Sequence, residues 1–138
     1  MSPSTQCLCG KVSLTVTSPS PNFNVCHCHS CQTWNGGPSL MVPCGEEVDI
    51  IGSEYVKEYD SSEWAVRAFC LDCGTHLYSR FKQTNQFNVP AGLFSQWEAL
   101  DMAMQYFIDI KPSYYCFSNN TPTMTESEVL NHFSSTPK

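Results

Sequence analysis

Cys26-His27-Cys28-His29-Ser30-Cys31 places three thiols within six residues, in the pattern C-x-C-x-x-C. Cys7-Leu8-Cys9-Gly10 lies upstream and Cys70-Leu71-Asp72-Cys73-Gly74 downstream, so seven of the nine cysteines fall into three groups. Clustering of this kind is a metal signature. Thiolate is a soft ligand that suits Zn²⁺, and zinc takes four ligands in a tetrahedron at roughly 2.3 Å per sulfur. The glycine that follows Cys9 and the one that follows Cys73 suit the tight turn needed to bring two sulfurs onto one ion, because glycine enters positive φ without penalty. One C-x-C-G and one C-x-x-C-G supply four thiolates. That count assigns Cys7, Cys9, Cys70 and Cys73 to a closed structural zinc site.

Cys26, Cys28 and Cys31 are then left for a second ion. Three protein ligands and an open fourth place is how catalytic zinc is held, whereas structural sites are closed. His27, His29, Cys44 or Cys116 could instead close it, and spacing does not choose among these. Disulfides are the competing use of so much cysteine. Thiols one or two residues apart are poorly placed to bond each other, and nine is an odd number. The polar opening, residues 1–6, does not read as a secretory signal, so a reducing, cytoplasmic setting is expected, where clustered cysteines serve as ligands.

At 138 residues the chain is expected to form one domain, 1–138. Its formal charge of −6 offers no basic stripe to displace counterions, which argues against nucleic acid as a partner. No apolar run approaches membrane-spanning length, so no membrane partner is expected.

The remainder reads mostly as strands. Residues 11–17 alternate apolar and polar with period two and are rich in β-branched side chains, the pattern of a half-buried strand. Further strands are predicted over 39–42, 48–51, 55–59, 65–69, 76–80, 86–89, 104–110 and, as a last aromatic strand, 114–117. Turns are expected at 18–22, at Pro43-Cys44-Gly45 and at Gly52-Ser53. One helical turn is expected near His29, followed by a loop to Pro38, and a short turn of helix within 90–101. Cys44 reads as a small buried apolar residue and His76 as an ordinary strand residue. Thr125-Glu126-Ser127-Glu128 fits a capping box opening a helix to about Phe133, with a frayed tail over 134–138.

The motif order C-x-C-G, C-H-C-x-x-C and F-C-x-x-C-G-T-x-L resembles the glutathione-dependent formaldehyde-activating enzyme family, which also includes relatives of centromere protein V. Arg67-Ala68-Phe69-Cys70, Ala91-Gly92-Leu93 and Asp109-Ile110-Lys111-Pro112 resemble that pattern too, so the likeness runs from about Cys7 to Tyr114. It implies an all-β fold, a β-tent of several small coiled antiparallel sheets stapled by zinc, with the short helix at its C-terminal end. It implies two Zn²⁺ per chain, one structural on Cys7, Cys9, Cys70 and Cys73 and one catalytic on Cys26, Cys28 and Cys31. The implied activity is carbon–sulfur lyase chemistry, the formation or cleavage of S-hydroxymethylglutathione, with a small thiol or aldehyde-type substrate and glutathione among the candidates. Two positions depart from the pattern: Gln105 stands where a histidine is common, and Tyr114 where a tryptophan is. Arg67, Arg80 and Lys82 are the candidate partners for substrate carboxylates. The alternative from a different class is a zinc-stabilised protein-binding module without catalysis.

Overall fold

Period-two burial accounts for most of the architecture. In β2 (Ser13–Val16), Leu14 and Val16 point inward and are fully buried while Ser13 and Thr15 face outward. The same alternation places Val66, Ala68 and Cys70 on the inner face of β7 (Ala65–Cys70). The structure, a computed structural model, describes residues 4–94 and 100–134.

Two sheets result. The smaller joins β1 (Ser4–Gln6), β2 and β5 (Val48–Ile51) in the order β1-β2-β5, all antiparallel. The larger also contains β3 (Asn22–Cys26), β4 (Ser39–Gly45), β6 (Val56–Asp60), β8 (His76–Phe81), β9 (Phe87–Pro90), β10 (Asp101–Tyr106) and β11 (Thr123–Met124). Its order is β11-β10-β3-β4-β9-β8-β7-β6. Every pairing in it is antiparallel except the two made by β10, which runs parallel to β3 and to β11. Helix α1 (His29–Asn35) connects β3 to β4, and α2 (Glu126–Ser134) follows β11. Short 3₁₀ turns occupy Ser53–Tyr55 and Ala91–Phe94.

The core lies where the small sheet meets the large one. Val12, Leu14 and Val16 pack with Val42, Ala68, Leu77 and Val89, and both Cys7 and Cys70 belong to the same cluster. Cys44 is buried there as expected; its thiol donates to the Val42 carbonyl at 3.2 Å, and burial pushes it up to about 12. The C-terminal helix also opens as its sequence specifies. Glu128 accepts the Thr125 amide at 2.8 Å while Thr125 Oγ1 accepts the Glu128 amide at 3.2 Å, the reciprocal pair of a capping box.

Several local expectations are corrected. Pro43 is not in a turn but in β4, opposite Asn88, and the register shifts just after it; a proline lacking an amide hydrogen is tolerated at such a bulge. The helical segment at His29 runs on to Asn35 before Gly36 ends it. The strand predicted over 104–110 begins at Asp101 and stops at Tyr106. There Phe107 takes φ +58°, which turns the chain out of the sheet. Residues 114–117 form no strand. Lys111 Nζ donates to the carbonyls of Pro112 and Tyr115 at 3.0 and 2.5 Å, and the rings of Tyr115 and Phe117 pack on His27. Strands β1 and β11 carry too little apolar pattern to be read from sequence. Part of the 90–101 segment and the tail beyond Ser134 lie outside the described residues.

Leu77 is fully buried at the centre of this core. Leu77→Ala should therefore lower stability by about 2–5 kcal/mol in urea unfolding, and a loss of only a few tenths would contradict the packing described.

Candidate metal centres and adjoining cleft

The first thiol group is built by two turns far apart in sequence. The Gly10 amide donates to the Cys7 carbonyl at 3.0 Å, and the Gly74 amide to the Cys70 carbonyl at 2.8 Å. The two glycines have φ +82° and +80°, the left-handed conformation that closes each loop around its sulfurs. Sγ atoms of Cys7, Cys9, Cys70 and Cys73 then all lie within 4.8 Å of one another. Cys7 and Cys9 are 3.5 Å apart and Cys9 and Cys70 3.8 Å, and every cysteine is free rather than disulfide-bonded. Four sulfurs at roughly 2.3 Å from a central zinc would stand about 3.8 Å apart, so the donor set fits that ion. Thr75 ties the turns together. Its Oγ1 accepts the Leu8 amide at 3.1 Å and lies 3.1 Å from Cys73 Sγ; its hydroxyl, backbone donors and the Cys70 thiol bring the Cys73 thiol down to about 5.

The second group forms where β3 ends. Cys26 lies between Tyr106 of β10 and Ser39 of β4, so three adjacent strands fix it. Cys28 caps α1, its sulfur accepting the Cys31 amide at 3.3 Å, and Cys31 sits in the first turn of that helix. The three sulfurs lie within 4.8 Å of one another. Ser39 Oγ donates to Cys31 Sγ at 3.5 Å, and Arg67 Nη2 is 3.7 Å from the same sulfur. Contacts from the Cys26 and Cys28 thiols, helped by Ser39 and the Arg67 charge, draw Cys31 down to about 2. The Cys28 and Cys31 thiols, and then burial, push Cys26 strongly upward. The thiols by themselves thus concentrate negative charge on one sulfur. A divalent cation is what would let all three ionise together.

Each candidate for a fourth ligand can now be placed. His27 is fully buried and points away from the sulfurs: Nε2 lies 2.9 Å from Gln105 Oε1, and Nδ1 2.7 Å from the Tyr115 hydroxyl. Gln105 Oε1 can only accept, so Nε2 carries the proton and Nδ1 accepts from Tyr115. Burial lowers the ring's affinity for a second proton, with Lys111 adding to the effect. Gln105 also donates to Thr121 Oγ1 at 3.3 Å. It therefore serves as a clamp on the His27 ring, the side chain between Cys26 and Cys28. His29 and Cys116 are exposed, Cys44 is in the core, and among the described residues no His, Cys, Asp or Glu joins the three sulfurs.

Beside this group runs a cleft of about 410 Å³, lined among others by Asn35, Ser39, Met41, Thr75, His76 and Leu93. Its walls reach both thiol groups, through Ser39 on one side and Thr75 on the other. Trp34 forms its shoulder, with His76 stacked on it at 4.5 Å and Arg67 over its ring at 5.9 Å. Of the basic residues singled out from sequence, Arg80 is engaged by Glu58 at 2.8 Å and Lys82 by Asp60. Arg67 has no carboxylate partner among the described residues and faces Cys31 instead. Sequence reasoning passed over His76 as a cleft residue; its position one strand-turn beyond the Cys73 loop was the available signal.

The glutathione-dependent formaldehyde-activating enzyme profile matches residues 2–110. The chain belongs to that family. An uncharacterized lyase of Schizosaccharomyces pombe is 34% identical over 125 residues, covering 90% of this chain and 91% of that protein. A crystal structure of a Rhodobacter sphaeroides protein shares the fold at TM-score 0.57 and 16% identity, over 71% of this chain and 98% of that one. All-β architecture with a short C-terminal helix is thus the fold this family member adopts, and family and relative together support a lyase-type function. No helix among the described residues is long and apolar enough to cross a membrane.

His27→Phe keeps an aromatic ring of similar bulk but strips Gln105 Oε1 and the Tyr115 hydroxyl of their partner. Stability should fall by about 1–3 kcal/mol in urea unfolding with bound metal per chain unchanged; an unchanged stability would contradict the buried hydrogen bonds described.

Proposed function

We propose that this chain is a zinc-dependent carbon–sulfur lyase, a single domain over 1–138 working in the reducing cytoplasm on a small thiol adduct or carbonyl compound. Cys7, Cys9, Cys70 and Cys73 hold a structural zinc, and Cys26, Cys28 and Cys31 hold a catalytic one. The observation that carries the reading is the ligand deficit: three converging sulfurs, no fourth protein donor among the described residues, and a cleft alongside. The family's name points to glutathione and formaldehyde, and the yeast relative is named a lyase.

Zinc bound at the three-sulfur site would stabilise a substrate thiolate at neutral pH. The chain's own groups prepare that site. The Ser39 hydroxyl and the Arg67 guanidinium both draw charge off Cys31, which keeps a thiolate-rich centre from becoming too weak an acceptor. Arg67 also places a positive charge beside the sulfur that leaves when an adduct is cleaved. Trp34 holds the guanidinium in place by stacking. Cleavage of a hemithioacetal then breaks the C–S bond heterolytically, leaves its electron pair on sulfur, and converts the carbinol to a carbonyl as its hydroxyl proton departs.

A protein-binding module without catalysis is the second reading. It is favoured by Leu8 and Leu71, which sit at the tips of the two Cys turns and are 90% and 58% exposed. Cobalt substitution separates the two. A three-cysteine site with an exchangeable position changes its visible spectrum when a small thiol is added, and two closed sites do not. Mutants should divide in the same way. Cys73→Ser should unfold the domain, since structural zinc contributes on the order of 10–16 kcal/mol of apparent binding energy. Cys28→Ser should leave a folded protein with one zinc and no turnover, and global unfolding of that variant would count against the division of roles.

A further inference from the structure

His76 is held in the cleft in a manner that an ordinary strand residue would not need. Its Nδ1 lies 2.9 Å from Asn35 Oδ1. An amide oxygen only accepts, so Nδ1 carries the proton and the lone pair of the neutral ring is on Nε2. Stacking on Trp34 at 4.5 Å, with the planes 22° apart, fixes the ring's orientation, and Nε2 has no hydrogen-bond partner among the described residues. Asn35 stands one helical turn beyond Cys31 on the same face of α1, so the imidazole is anchored one turn from the three-sulfur group. Ser39, on the same cleft, touches Cys31 directly.

The cleft itself is selective. Pro38, Leu40, Met41 and Leu93 supply apolar wall, and no Asp, Glu, Lys or Arg among the described residues lines it. A substituent entering there is uncharged and apolar. The single ring nitrogen with a free lone pair is the polar feature that a neutral hydroxyl would seek.

Resting on the lyase reading above, we propose that His76 Nε2 accepts the hydroxyl of the substrate's carbinol carbon, with that carbon's apolar substituent lying along the Leu40–Met41–Leu93 wall. In cleavage the hydroxyl proton passes to Nε2, the oxygen's electron pair forms the C=O bond, and the C–S pair leaves on sulfur as the thiolate. The imidazolium returns its proton to solvent. Synthesis of the adduct runs through the same transfers in reverse. The preferred substrates are hemithioacetals of neutral aldehydes larger than formaldehyde. Burial, and then the positive charge of Arg67 on β7, hold His76 below the usual imidazole range, so the ring is neutral and accepting at pH 7. The groups that α1 turns toward it, Trp34 and Asn35, do not titrate.

The test uses the full zinc-loaded chain labelled with ¹⁵N-histidine and titrated with 2-(butylthio)ethanol, a stable thioether alcohol. The His76 spectrum should show the Nδ1–H tautomer, and its Nε2 resonance should move on titration while those of His29 and His132 stay. A His76 Nε2 signal that does not move overturns the proposal. In parallel, His76→Gln, checked for unchanged zinc content and fold, should lose about a hundredfold or more in kcat/KM on hemithioacetals. It should also lose the acid limb that the wild type shows as Nε2 protonates. An unaltered kcat/KM and pH profile overturns the proposal as well. If the wild type turns over no adduct yet the alcohol still engages Nε2, the lyase reading falls and the hydroxyl-accepting site stands.

Discussion

Sulfur crowding is the constraint that the rest of this molecule is built around. Cys7 and Cys9 come from the turn between the first two strands of the small sheet, Cys70 and Cys73 from the hairpin joining β7 and β8 near one edge of the large one. Their sulfurs come within 4.8 Å across that divide, and Cys7 and Cys70 are also buried members of the shared core. Neutral thiols pack this closely only weakly, and thiolates repel. A central cation would reverse the sign of that interaction and turn the meeting of two short hairpins into a bond between sheets. For a chain with a modest core that would be a large share of what orders it.

The second sulfur group obeys a different logic. It lies at the end of a strand and the start of a helix, contributed by one short stretch, and it joins no distant parts of the chain to each other. Neighbouring elements instead join to hold it. β10 and β4 flank Cys26, Gln105 and Tyr115 hold the ring of His27 between Cys26 and Cys28, and Ser39 and Arg67 reach Cys31. Protein stiffness is thus spent on one side of the group while its other side adjoins the cleft. That asymmetry suits a centre at which ligands exchange, just as a full set of four sulfurs suits one that only staples.

Gln105, where the family resemblance leads one to expect a histidine, acquires a structural meaning in this setting. An amide presents an acceptor to His27 and a donor to Thr121 at once, and both are used. Whatever the cleft recognises is decided on the opposite side of the three-sulfur group, by α1, β4, β8 and the Ala91–Phe94 turn. The few polar side chains there stand among apolar ones, where each hydrogen bond counts for more than it would in water.

The grouping of seven thiols into four and three was legible in the sequence because the fitness of a side chain as a soft ligand and its short spacings are both local. The half-buried strands were legible for the same reason: one apolar face imprints a period of two on the residues themselves. Pairing order leaves no such imprint, so the parallel placement of β10 against β3, the bulge at Pro43 and the conversion of 114–117 from an apparent strand into a cover for His27 emerged only from the fold. So did the fates of the histidines and arginines. His27, adjacent in sequence to two of the cysteines, is turned inward and buried, whereas His76, more than forty residues from the three-sulfur group in sequence, is brought to its cleft. Direction, not proximity along the chain, determines which side chains share a site, and direction is set by packing between elements that are far apart in sequence.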